Sequence, residues 1–149
     1  MNDTDYFEPK PLTIKFSGPF IPVYKTEGSA GCDICSNEDT WIGGMSSKVV
    51  STGLHMEIPR GFEAQVRSRS GLAAKRHVFV LNSPGTIDSD YRGELKIILS
   101  NMHNEPFIIK KGDRIAQLVF SPVIQVAFES SQDLSQTDRG NGGLGSTGT

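Results

Sequence analysis

Asp88 and Asp90 stand two residues apart in G-T-I-D-S-D-Y-R-G, residues 85–93, with Tyr91 beside them. In an extended backbone residues i and i+2 point to one face, so the two carboxylates would share a side and Ile87 and Ser89 the other. Like charges held close resist joint ionisation, and a carboxylate in that position takes up a proton readily. Such a group serves as a general base toward water. The same nine residues also fit a polar turn whose aspartates accept hydrogen bonds from backbone amides.

Two more stretches carry anion chemistry. Arg67-Ser68-Arg69-Ser70-Gly71 stands ahead of the helix formers at 72–76, with Ser70 as the expected helix-start residue. Free amides at a helix start favour negative charge, and a guanidinium grips phosphate oxygens in bidentate fashion. Residues 139–148, R-G-N-G-G-L-G-S-T-G, join an arginine and hydroxyls to glycines that let backbone N–H groups approach a phosphate. A solvated turn fits the first stretch as well, and a flexible linker the second. Cys32 and Cys35, in C-D-I-C, supply at most half a zinc site, because His55, His77 and His103 are too scattered to complete it. The expectation is two cysteines on opposite faces of a short strand.

The elements that must position these groups read mostly as strands. Phe62, Ala64 and Val66 alternate with Glu63, Gln65 and Arg67, the period of a half-buried strand. Residues 12–16 alternate in the same way, 22–31 read as loop, and Ala30-Gly31-Cys32-Asp33-Ile34-Cys35 is small, then alternating. Residues 41–59 read as two short strands broken at Gly43-Gly44 and at Ser51-Thr52-Gly53. The apolar run 77–81 leads through Asn82-Ser83-Pro84-Gly85 into what reads as a hairpin bend. Residues 95–99, 107–109, 114–120 and 123–128 complete the strand series, with Pro122 between the last two. Many short strands and one helical candidate predict an all-β sandwich or barrel. Residues 1–11 read as a flexible leader, 12–129 as the β domain and 130–149 as a flexible C-terminal arm.

Composition narrows the function classes. A chain of 149 residues with 36% hydrophobic and 21% charged residues and 16 glycines suits one turn-rich globular domain. No window is long and apolar enough to span a bilayer, and the acidic first residues do not resemble a secretory signal, so an intracellular, cytoplasmic location is expected. A formal charge of −2 excludes a broad basic field, so nucleic acid is not an expected partner. A small phosphorylated ligand held by clustered arginines fits.

Taken in order, A-G-C-D-I, R-S-G-L-A, G-T-I-D-S-D-Y-R-G, K-G-D-R-I-A-Q-L and R-G-N-G-G-L-G-S-T-G form a series over about residues 12–148 that resembles the motifs of the trimeric dUTP diphosphatase (dUTPase) family. The resemblance implies a distorted β-barrel or jelly roll, assembled as a homotrimer with an active site at each subunit boundary. It implies hydrolysis of dUTP to dUMP and pyrophosphate with Mg2+ on the triphosphate, which limits uracil in DNA and supplies dUMP for dTTP synthesis. By the same resemblance Asp88 deprotonates a water that attacks the α-phosphorus in line, with Asp90 secondary. Tyr91 packs on the deoxyribose and leaves no room for a 2′-hydroxyl. Asn82, with backbone groups of Gly85 and Ile87, pairs with the uracil edge. Arg69, Ser70 and Gly71 form a phosphate-binding turn, Gln117 lies near the α-phosphate, and Asp33 reaches the magnesium through its waters, with no direct protein ligand. In the arm, Arg139, Leu144, Gly145, Ser146 and Thr147 cover the bound nucleotide. Two positions depart from the family pattern: Leu144 stands where phenylalanine is usual, and Ser68 where proline is common. A dCTP deaminase-like enzyme and a non-catalytic regulatory trimer of the same fold are the alternatives.

Overall fold

The computed structural model describes residues 12–144. The expected leader at 1–11 and the residues Gly145, Ser146 and Thr147 lie outside that span. Three antiparallel ladders share one core. The first joins β1 (Lys15–Ser17), β5 (Ser46–Glu57), β9 (Leu95–Asn101) and β7 (Val78–Val80) in the order β1-β5-β9-β7. The second joins β2 (Val23–Tyr24), β3 (Cys32–Cys35), β11 (Arg114–Pro122), β6 (Phe62–Arg67) and β8 (Gly85–Ile87) in the order β2-β3-β11-β6-β8. A short third pairs β10 (Phe107–Ile109) with β4 (Thr40–Ile42). The one helix, α1, is Ser70–Arg76. The all-β expectation with a short helix holds, and the ladders do not close into a barrel.

Alternation decides which faces are buried. Ala64 and Val66 of β6 enter the core, together with Ile34 of β3 and Ala116 and Leu118 of β11. Val50 and Leu54 of β5, Leu95, Ile97 and Leu99 of β9, and Val78 and Val80 of β7 meet them from the other large ladder. Each fully buried Ile or Leu contributes about 1.5–3 kcal/mol. On the outer side of β6, Gln65 Nε2 donates to Glu63 Oε1 at 2.7 Å and Arg67 Nη2 to Gln65 Oε1 at 2.6 Å. Those side chains keep their polar ends satisfied while the opposite face packs.

Several boundaries differ from the sequence expectation. Residues 41–59 are not two short strands divided at 51–53, because β5 runs through that point with a bulge, its register shifting between Ser51 and Leu54. Gly53 takes φ 63° there, a left-handed conformation open to glycine. The loop at 22–31 contains β2, and β1 begins later than residue 12. Val123 to Phe128 form no strand: β11 ends at Pro122 opposite Phe62, and beyond the Val123 N–H to Gly61 carbonyl bond at 2.8 Å they enter no ladder among the described residues. Ile124 and Phe128 stand almost fully exposed.

The 77–85 segment is a crossing between ladders and not a paired hairpin, since β7 pairs with β9 and β8 with β6. The helix also starts differently, with Arg69 as its N-cap and Ser70 as its first residue, without a side-chain cap. At its far end His77 adopts φ 56°, and its N–H reaches back to the Ala73 and Leu72 carbonyls. Among the described residues no helix is long and apolar enough to cross a membrane.

Candidate active site

Asp88 lies immediately past β8, where the strand has ended and the chain turns: Tyr91 N–H donates to the Asp88 carbonyl at 3.2 Å. Asp88 and Asp90 are therefore not alternate residues of one strand, and the extended expectation fails at this point. Both line a cleft of about 710 Å³ with Arg60, Glu63 and Arg92. Only Asp88 also borders a smaller cleft of about 210 Å³, whose walls include Ile87 and Tyr91. The two carboxylates thus share the larger cleft, and the smaller one joins Asp88 alone to the tyrosine. Its carboxylate is exposed and takes no hydrogen bond among the described residues, so both oxygens are available to water.

Asn82 and Gly85 sit at the mouth of the same segment. A Cβ on Gly85 would lie 3.1 Å from Asn82 Nδ2 and 3.3 Å from Val66 Cβ, so the glycine leaves space for the amide to cross the turn. Neither residue lines the two clefts, and Asn82 points from an exposed turn.

A second cluster forms at the opposite end of the five-stranded ladder. Asp33 of β3 receives Arg69 Nε on Oδ1 at 3.1 Å and Arg114 Nη1 on Oδ2 at 2.9 Å, and its side chain is 13% exposed. Arg69 Nη1 also donates to the Arg114 carbonyl at 2.8 Å. Two of the five guanidinium donors of Arg69 are then engaged, and the rest remain for a ligand. Gln117 Nε2 donates to the Ser68 carbonyl at 2.9 Å, leaving the second amide hydrogen free. Gly31 explains its place before Cys32: a Cβ there would lie 3.0 Å from Gln117 Cδ and closer still to Oε1. Ser70 and Gly71 form the exposed first turn of α1 beside this cluster.

Three contributors escape sequence reading. Arg114 sits inside K-G-D-R-I-A-Q-L, but its partner Asp33 is 81 residues away. Ser68 accepts from Val80 N–H at 2.9 Å and so ties the arginine turn to the strand leading into Asn82. Glu94 accepts from Ser51 Oγ and from Gly53 N–H at 3.0 Å, and these hydrogen bonds hold its carboxyl below the usual range. The sequence marks Ser68 only as standing where proline is common and Glu94 not at all, since the contacts of both are made with residues of other strands.

One chain does not unite the two clusters. Ile87 pairs with Ala64 and Gln117 with Arg67, three residues or roughly 10 Å apart along β6. β8 and β11 flank β6 on opposite sides, which adds about 10 Å across the ladder. Arg139 and Leu144 touch neither cluster: Arg139 Nε donates to the Gly142 carbonyl at 2.9 Å within an exposed turn, and Leu144 is fully exposed.

The donor set also bears on metal. Among the described residues no group of three or more His, Cys, Asp or Glu could hold an ion. Both oxygens of Asp33 accept from guanidinium groups, so it does not fit a direct ligand of a cation held by protein alone; the second lone pair on each oxygen leaves room only for a water of a hydrated cation. Cys32 and Cys35 are free thiols, both pushed up chiefly by burial, and Cys32 Sγ faces the Leu118 carbonyl at 3.6 Å.

With that geometry in place, the family model described as dUTPase matches residues 20–148. The chain belongs to the dUTPase family. It is 54% identical over 128 residues to the deoxyuridine 5'-triphosphate nucleotidohydrolase of Nautilia profundicola, covering 86% of this chain and 90% of that one. It is 51% identical over 129 residues to the enzyme of the same description from a Hydrogenobaculum species, again covering 86% and 90%. Among solved structures, the dUTPase of Staphylococcus bacteriophage 80alpha with dUPNHPP superposes with a TM-score of 0.85 at 27% identity, over 92% of this chain and 99% of that one. Family membership accounts for the ordered motifs.

Proposed function

We propose that this chain is a dUTP diphosphatase, hydrolysing dUTP to dUMP and pyrophosphate, with Asp88 as the general base for the water that attacks the α-phosphorus. The observation that carries the base assignment is the placement of Asp88: an exposed carboxylate with no hydrogen-bond partner among the described residues, on the wall of a cleft it shares with Ile87 and Tyr91. A base must stand within hydrogen-bond reach of its water, and both oxygens of Asp88 are open to one. Tyr91 is the wall against the sugar, where a 2′-hydroxyl would be crowded and stripped of water. Asn82, with the backbone of Gly85 and Ile87, pairs with the uracil edge, where a wrong base would leave polar groups unmatched.

Arg69 with its spare donors, the Ser70-Gly71 turn and the free amide hydrogen of Gln117 bind the phosphates. Since Gln117 and Asp88 lie on opposite sides of β6 yet both belong beside the α-phosphate, the complete site joins residues of different copies in a homotrimer. The exposed side chains of Ile124, Val126 and Phe128 support assembly, because a run of large apolar groups left open to water asks for a partner surface. Arg139, Leu144, Gly145, Ser146 and Thr147 close over the bound nucleotide from the arm. Asp33 is the carboxylate that would face Mg2+ through water, and that cation supplies neutralisation of charge on the leaving pyrophosphate. The reaction places the protein inside the cell with the nucleotide pools.

The test is product analysis. Purified protein with dUTP and Mg2+ should release dUMP and pyrophosphate in equal amounts, with no ammonia from dCTP. Asp88→Asn should lower kcat by about 10²–10⁴-fold while leaving the fold intact. Turnover retained in that variant would remove Asp88 from the base role.

A further inference from the structure

The turn bearing Tyr91 is held by groups that the proposed reaction does not otherwise use. Tyr91 Oη donates to the Glu94 carbonyl at 2.9 Å, which folds the ring back over residue 93. A Cβ at that residue would lie 2.6 Å from Tyr91 Cζ, so only glycine leaves the ring where it is. The carbonyl that receives the tyrosine belongs to a residue whose own side chain is anchored. Glu94 Oε1 accepts from Ser51 Oγ and from the Gly53 N–H at 3.0 Å. Ser51 and Gly53 are the residues of the β5 bulge, and Gly53 reaches its left-handed φ of 63° there. The bulge aims one N–H and one hydroxyl at a single carboxylate oxygen, an arrangement a regular ladder would have spent on backbone pairing.

We infer that Glu94, seated on the β5 bulge, is a positioning residue that holds Tyr91 against the nucleotide cleft and so sets how strictly the site rejects a ribonucleotide. The chain of contacts runs from the bulge through the Glu94 carboxylate to the Glu94 carbonyl, and from there to the Tyr91 hydroxyl. Glu94, Tyr91 and Asp88 all line the 210 Å³ cleft, so a shift of the 91–94 turn moves the sugar wall relative to the base. Charge on Glu94 is not what the contact requires: an acceptor oxygen at the same position serves both the hydroxyl and the N–H. This inference rests on the reading that Tyr91 faces the deoxyribose.

The experiment compares kcat/KM for dUTP and UTP in the wild-type protein and in Tyr91→Ala, Glu94→Ala, Glu94→Gln and Ser51→Ala. Glu94→Ala should narrow the dUTP-to-UTP ratio by about tenfold, with the dUTP change mostly in KM. Glu94→Gln keeps an acceptor and should stay within about twofold of wild type, and Ser51→Ala, which removes one of two bonds, should fall between. If Tyr91→Ala leaves the ratio unchanged, the sugar-wall reading of Tyr91 is wrong. If Tyr91→Ala narrows it while folded Glu94→Ala and Ser51→Ala do not, the tyrosine reading survives and the positioning role of Glu94 is overturned. A glutamine variant as permissive as the alanine variant also overturns it, because the loss would then follow charge and not hydrogen-bond geometry.

Discussion

Arg69 Nε lies 3.1 Å from Asp33 Oδ1, so the arginine proposed to bind phosphate is held by the carboxylate proposed to face the metal. Arg114 occupies the other oxygen at 2.9 Å. Asp33→Asn would leave two cations with one weak acceptor in a largely covered site. Its expected effect is a loss of about 1.5–3 kcal/mol of stability, the range for hydrogen bonds to charged groups. The KM for dUTP should rise as well, because Arg69 loses its aim. Chemical denaturation with steady-state kinetics checks both, and an unchanged KM would detach Asp33 from substrate binding.

Ser68 offers a more local test. Its hydroxyl is the acceptor for Val80 N–H at 2.9 Å in a half-buried position. Ser68→Ala strands that donor at an expected cost of about 1–3 kcal/mol, whereas Ser68→Thr keeps the oxygen and should recover most of it. Hydrogen exchange at the Val80 amide is the direct readout: it should accelerate in the alanine variant only.

The apolar segment at 123–128 should carry the proposed assembly. Burying a side chain the size of Ile124 or Phe128 contributes about 1.5–3 kcal/mol, so losing one weakens association by about tenfold or more. If the chain assembles as the proposed trimer, Ile124→Asp combined with Phe128→Asp should convert it into smaller species by light scattering at micromolar concentration. A variant that keeps the trimer mass would show that other surfaces suffice.

Leu144 is fully exposed and offers apolar contact without a π-face. Leu144→Phe should lower the KM for dUTP by about two- to tenfold, the worth of an aromatic contact, and leave kcat near its starting value. An equal or higher KM would count against a stacking deficit in the arm.

Strands with their own alternation were legible in advance. Phe62, Ala64 and Val66 predicted β6, and 95–99 and 107–109 predicted β9 and β10. Where the pattern misled, the cause was a missing or unexpected partner. Residues 123–128 are apolar but, past Val123, enter no ladder among the described residues, while 51–53 look like a break yet lie in one strand carried through a bulge. The carboxylates 88 and 90 would share a strand face only if β8 continued past Ile87, and the turn closed by Tyr91 N–H prevents it.

The order of the motifs, the residue types within them and the period of the core strands were all present in the linear chain, because each depends on chemistry within a few residues. The coupling of Asp33 to Arg69 and Arg114, of Ser68 to Val80, and of Glu94 to the β5 bulge was not. Those contacts join residues up to 81 positions apart. Ladder register brings such groups within hydrogen-bond distance, and register is settled by how all the strands pack around one core.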